Sequence, residues 1–188
     1  MTTRSHRRPL LVAAALALLA GSALAFDQAT VARARTGDRN LVRASLTGAA
    51  LPGEDLANAN LTAADLTRAN LTGANLTGAN LSDARLSSAN LSGANLTGAN
   101  LTGAHLESAN LTGARLEGVS LLHAHLTGAN LSGATLTGAH LTGANLQGVH
   151  SDAATVWPAG FVHPAPDPAP ADAGAPTPAP TARSRRGR

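Results

Sequence analysis

From Leu41 to Leu146 every fifth residue is Leu, twenty-two times in succession. Two residues before each Leu stands Ala in nineteen cases, the exceptions being Arg39, Glu54 and Val119. The residue between them is almost always polar and is Asn in eleven of the twenty-two. After each Leu comes usually Thr or Ser, then Gly in fourteen. The repeating unit is A-N-L-T-G, with Leu at a position denoted i below.

This period fits neither regular element. On an α-helix, at about 100° per residue, a step of five advances about 500° and spirals the Leu residues around every face. Gly and Asn at fixed positions oppose a helix as well. On a straight strand of period two, an odd step sends successive Leu side chains to opposite faces. A chain that turns a corner every five residues satisfies the pattern. Ala at i−2 and Leu at i then point inward from a short extended stretch, and residue i−1 points outward. Residues i+1 and i+2 form the corner. A type II turn needs positive φ at its second central residue, which Gly adopts without strain.

The run Ala69-Asn70-Leu71-Thr72-Gly73 and its copies, over Arg39 to His150, resemble the A-(D/N)-L-x-x unit of pentapeptide-repeat proteins. The resemblance implies an all-β fold, a right-handed quadrilateral β-helix with four pentads per coil. Twenty-two pentads then make about 5.5 coils. The number of corners per coil comes from the resemblance alone. Leu71, Leu76, Leu91, Leu96 and Leu101 are expected in the core. Leu96→Lys is expected to abolish folding, and Asn95→Lys, on an outward position, to be nearly silent.

A stacked solenoid exposes pairing edges at both ends and needs caps. Residues 26–38 are expected to supply a short helix, N-capped by Asp27, running to Arg35 and stopped by Gly37. Residues 151–163 are expected to close the other end with Trp157 and Phe161, and pentapeptide-repeat proteins with a similar T-x-W-P-x-G-F ending support that reading. Capping is preferred there over a ligand-binding aromatic pair.

The segments outside the repeat differ in character. Arg4 to Arg8 form a basic stretch, Leu10 to Ala20 an apolar run, and Ala23-Leu24-Ala25 an A-x-A cleavage signal. Residues 1–25 are thus read as a signal peptide cut after Ala25. The run Leu10 to Ala25 is shorter than the roughly 20 residues needed for a spanning helix, so no stable membrane span is expected after cleavage. The expected location is secreted or periplasmic. Residues 164–188 are Pro- and Ala-rich with a basic end, and are expected to form a disordered, extended tail.

Composition changes the picture in one respect. The sequence pI of about 11.2 suggests a polyanion binder, yet the repeat body from Arg39 to His150 has five Arg against six Asp or Glu. No clustered positive charge remains on the body, and no nucleic acid is expected as a partner.

Positions twenty apart should stack, giving an outward column Ser45, Asp65, Arg85, His105, His125, Asn145. His105 and His125 as neighbours suggest a metal pair, while His standing where Asn usually does suggests surface substitution, the preferred reading. Asp65 and Arg85 read as an exposed ion pair. No catalytic set converges on a convex rod, so no catalytic residue, cofactor or metal is assigned and an enzyme is not expected. The expected role is a structural or protein-binding scaffold whose partner, a protein or an envelope polymer, is unknown, with end-to-end stacking into oligomers as an option. The alternative is a binder of a repetitive surface, polysaccharide or ice, through Thr and Asn ladders. Two such ladders are interrupted: Thr67, Ser87, Glu107, Thr127, Gln147, and Thr62, Ser82, Thr102, Leu122. A gyrase-type DNA mimic is a lesser alternative, for which the body lacks the acidity.

Overall fold

The computed structural model describes residues 28–162. The expected signal peptide, the expected N-cap Asp27 and the Pro-rich segment from residue 163 lie outside the described residues.

Each five-residue unit makes one corner. The Leu96 carbonyl accepts the Ala99 amide at 2.9 Å, closing a four-residue turn with Thr97 and Gly98 at its centre. Positive φ occurs at i+2 in all fourteen Gly pentads and at the eight non-Gly residues in that position, and at no i+1 residue. This combination defines a type II turn. Among the eight, Ala63 is forced to φ 54° and Arg68 to φ 58°.

Parallel bridges join residues twenty apart, from Asn40 with Asn60 through to Asn130 with His150. One circuit of the chain therefore takes four pentads and four corners. The first side carries Leu41 and every twentieth residue after it. The second starts at Leu46, the third at Leu51 and the fourth at Leu56. Expected as short strands, the sides are shorter still: only residue i−1 forms a bridge, because the next corner follows at once.

The pentad around Leu96 accounts for every amide. Asn95 N–H donates to Ala74 O at 2.9 Å, Leu96 N–H to Arg115 O at 2.7 Å, and Gly98 N–H to Glu117 O at 2.9 Å. Ala99 N–H closes the turn. The fifth amide, at Thr97, is left over by this geometry and donates to Asn95 Oδ1 at 3.1 Å. Inside, Leu71, Leu76, Leu91, Leu96 and Leu101 are wholly buried together with the Ala residues. Four Leu and four Ala per circuit fill the narrow interior, which has no room for larger side chains.

Helix α1, Gln28–Arg35, covers the first coil with Val31 and Ala34 buried against the Leu core. Two residues past its end Gly37, with φ of 85°, turns the chain away. Three arginines then take the carbonyls that a preceding coil would have paired. Arg33 donates to Asn40 O at 2.8 Å, Arg35 to Ala50 O at 2.6 Å, and Arg39 to Asp55 O at 2.7 Å. The opposite end is half closed. Asp152 Oδ1 accepts the Gly133 amide at 2.9 Å, and Val156 bridges Thr135. That last step is twenty-one residues, because the turn from Asp152 to Thr155 adds one. Trp157 and Phe161, 5.5 Å apart and 21° from parallel, pack partly buried on the last coil. The Leu141, Gly143, Leu146 and Gly148 amides have no main-chain partner among the described residues.

Candidate functional site

The second side is where the repeat departs most from its own unit. Its outward column runs Ser45, Asp65, Arg85, His105, His125, Asn145, each bridged to the next, so these side chains stand roughly 4.8 Å apart along the rod.

Two contacts organise the column. Asp65 Oδ2 lies 3.8 Å from Arg85 Nε, with both side chains substantially exposed. Such a pair contributes under about 1 kcal/mol. The rings of His105 and His125 stack at 4.8 Å, only 5° from parallel. Within the column the histidine pair is flanked by Arg85 and Asn145, and the column's carboxylate, Asp65, lies beyond Arg85. Glu107, from the corner just beyond, reaches back instead. Its Oε1 lies 3.2 Å from His105 Nδ1, while its Oε2 accepts the Ser87 hydroxyl at 2.8 Å. An i to i+2 link across a corner was available from the turn spacing, but the twenty-residue link to Ser87 needed the circuit length.

The carboxylates are held ionised. For Glu107, partial burial works against the charged form, but hydrogen bonds from Ser87, its own amide and His105 outweigh it and lower the pKa. Asp65 is lowered similarly: burial opposes, and the Thr67 amide, the Thr47 hydroxyl and the Arg85 charge prevail.

The geometry gives the histidine pair no chelate. Stacked parallel rings put their nitrogens side by side rather than converging on one point. Among the described residues no group of three or more His, Asp or Glu is placed to hold a metal ion. His140 and His150 belong to other columns, bridged to Ser120 and Asn130. Among the described residues an open depression is lined by Ala63, Asp83, Arg85 and His105. It encloses nothing.

The role of the outward Asn residues is a finding that sequence reasoning missed. In twelve pentads the Asn or Asp at i−1 turns its Oδ1 onto the i+1 amide, as Asn70 does to Thr72 at 3.1 Å and Asn110 to Thr112 at 3.1 Å. These side chains cap the corner. Asn95→Lys is therefore expected to carry a cost, since it removes the acceptor of the Thr97 amide.

Corner-forming pentads, a twenty-residue bridge register and a Leu-Ala interior define a solenoid built from five-residue units. The profile of pentapeptide repeats matches residues 40–78, 79–118 and 114–150, with eight copies, and the chain belongs to the pentapeptide-repeat family. Solved structures similar to it include the pentapeptide-repeat protein Rfr23 from the cyanobacterium Cyanothece 51142, at 32% identity over 69% of this chain and 97% of that one, TM-score 0.38. HetL, from the cyanobacterium Nostoc sp. strain PCC 7120 and involved in heterocyst differentiation regulation, is 29% identical over 68% of this chain and 80% of its own, TM-score 0.28. QnrB1, a plasmid-mediated fluoroquinolone resistance protein, is 18% identical over 61% and 80%, TM-score 0.24. No curated protein matches the chain.

Proposed function

We propose that this protein is an exported, non-enzymatic scaffold. It is a right-handed quadrilateral β-helix of about five and a half coils, released to the periplasm or the exterior after cleavage at Ala25. Its rigid flat sides engage a partner protein. The observation that carries this reading is the use made of the outward reactive groups. Asp65, Arg85, Glu107 and His105 stand in rows on an open face and are tied to one another or to corner hydroxyls, and none converges on an enclosed space. A row of fixed polar groups recognises a surface; it does not surround a small substrate.

Fractionation of producing cells tests the export half, with the amino-terminus of the recovered protein sequenced. Protein beginning at Phe26 outside the cytoplasm is the expected result. Intact precursor in the cytosol would sink export and revive the cytoplasmic DNA-mimic alternative, which the near-neutral body otherwise disfavours. Pull-down from the envelope fraction, with the mature chain and a version ending at His163, tests the scaffold half and the contribution of the basic tail.

A second reading, binding of a neutral repetitive surface such as polysaccharide or ice, is favoured by one feature of the third side. There the ladders Asn70, Asn90, Asn110, Asn130 and Thr72, Ser92, Thr112, Ser132 run without interruption or charge. The interrupted ladders belong to the first and second sides. Thermal hysteresis by the mature protein, or its co-sedimentation with an insoluble glucan, is the expected sign of this activity. Loss of neither property on Thr72→Lys/Thr112→Lys would remove the third side from consideration.

A further inference from the structure

The corners record where this chain departs from its most stable form. Residue i+2 takes a left-handed conformation in every pentad, which Gly adopts freely and other residues only with strain. Of the eight non-Gly residues held there, Arg43, Ala63, Asp83 and His123 lie on the corner leading into the second side. Arg68, Ser88 and Ser108 lie on the corner leading out of it. Asn58 alone lies elsewhere, and the corner leaving the third side is Gly in every coil from Gly53 to Gly133. On the second side Arg85, His105 and His125 stand where Asn or Asp would hold the i+1 amide, while Asp65 and Asn145 keep that bond. Seven of the eight strained corner residues thus border one side of the rod. Strain collected in one place is a mark of a working surface.

The same surface holds six formally charged groups: Arg43, Arg68 and Arg85 against Asp65, Asp83 and Glu107. The signs are balanced and interspersed along the rod. A polyanion or an anionic lipid surface would meet three fixed carboxylates, and a neutral glycan would leave the charges without partners. A protein surface bearing both carboxylates and basic groups complements them.

We propose that the second side, with its two flanking corners, is the docking surface for a partner protein whose facing patch carries both acidic and basic side chains. This rests on the scaffold reading above and adds to it the side and the chemistry of the partner.

The test uses the full chain in its producing cells with a photo-crosslinking residue at Ser88, beside the second side, or at Ser92, on the third. The expected result is a discrete, protease-sensitive adduct from position 88 and none from position 92. The charge-swapped pair Asp65→Arg/Arg85→Asp keeps net charge and the internal ion pair while reversing the pattern presented. It should lower the position-88 adduct at least tenfold with its Tm within a few degrees of the parent. Ser88→Gly/Ser108→Gly should raise Tm by roughly 5 °C or more, as relief of strain requires. An adduct from position 92 alone, a position-88 adduct indifferent to the charge swap, or a polydisperse protease-resistant adduct would each overturn the assignment while sparing or redirecting the scaffold reading. Absence of adducts from both positions would count against the scaffold reading itself.

Discussion

Asn95 Oδ1 accepts the Thr97 amide at 3.1 Å and the Thr97 hydroxyl at 2.7 Å, so one outward side chain completes the hydrogen bonding of a corner. Asn95→Ala or Asn95→Lys should cost about 1 kcal/mol by loss of this acceptor. Asn95→Asp keeps the oxygen and stacks beside Arg115, so it should stay within about 0.5 kcal/mol of the parent. Urea midpoints of the three variants check the order.

The left-handed corner predicts opposite signs at two sites. Gly98 has φ 65° with open space where a methyl would stand, so Gly98→Ala meets only backbone strain and should destabilise by about 1 kcal/mol. Ala63, at φ 54°, already bears that strain, and Ala63→Gly should stabilise by roughly 0.5 kcal/mol after the added freedom of the unfolded chain is counted. Equal shifts of both in one direction would contradict the turn assignment.

Core position decides the cost of losing a Leu. Leu96 is wholly buried mid-rod, and Leu96→Ala should cost about 2–5 kcal/mol, with Leu96→Lys preventing folding. Leu146, on the last coil, is only partly buried, and Leu146→Ala should cost under about 2 kcal/mol. Thermal unfolding followed by circular dichroism separates the two.

The amino-terminal arginines act locally. Arg33→Met and Arg35→Met should leave the mid-rod amides of Leu91 and Leu96 as protected as before, while exchange at Leu41 and Leu46 accelerates. Amide hydrogen exchange by mass spectrometry reads this difference directly.

Acid should open the carboxy-terminal end. The Gly133 amide is the main reason Asp152 has a lowered pKa; the Thr155 hydroxyl and the amides of Ala154 and Thr155 add to it. A carboxylate with a lower pKa folded than unfolded contributes stability above its ordinary value of 3.8, and that contribution is lost as pH falls through the folded value. Asp152→Asn should flatten this part of the stability profile below pH 3.8, with the parent showing earlier exchange at Gly133 in acid.

The spacing of the corners was legible in the sequence because Leu recurs without one slip from Leu41 to Leu146, and no helix or flat strand can bury such a period. The corner residue was legible too, since Gly at i+2 answers to positive φ. The column Ser45 to Asn145 followed once a circuit of twenty residues was supplied, and supplying it took a family resemblance, because a five-residue period says where corners fall but not how many close a turn.

Only the tertiary structure decided the rest. Asn at i−1 looked like outward filler, and it caps the corner because stacking takes three of the five amides in a mid-rod pentad, the turn takes a fourth, and one is left over. Glu107 reaches both His105 and Ser87 because neighbours across coils are distant in sequence. No sequence pattern singles out Arg33, Arg35 and Arg39 as a set, yet the first coil's unpaired carbonyls give each a fixed acceptor. Sequence determined what every pentad shares, since repetition imposes the same local physics twenty-two times. What differs from side to side and at the two ends depends on which coil lies above or below, and that is settled only when the coils stack.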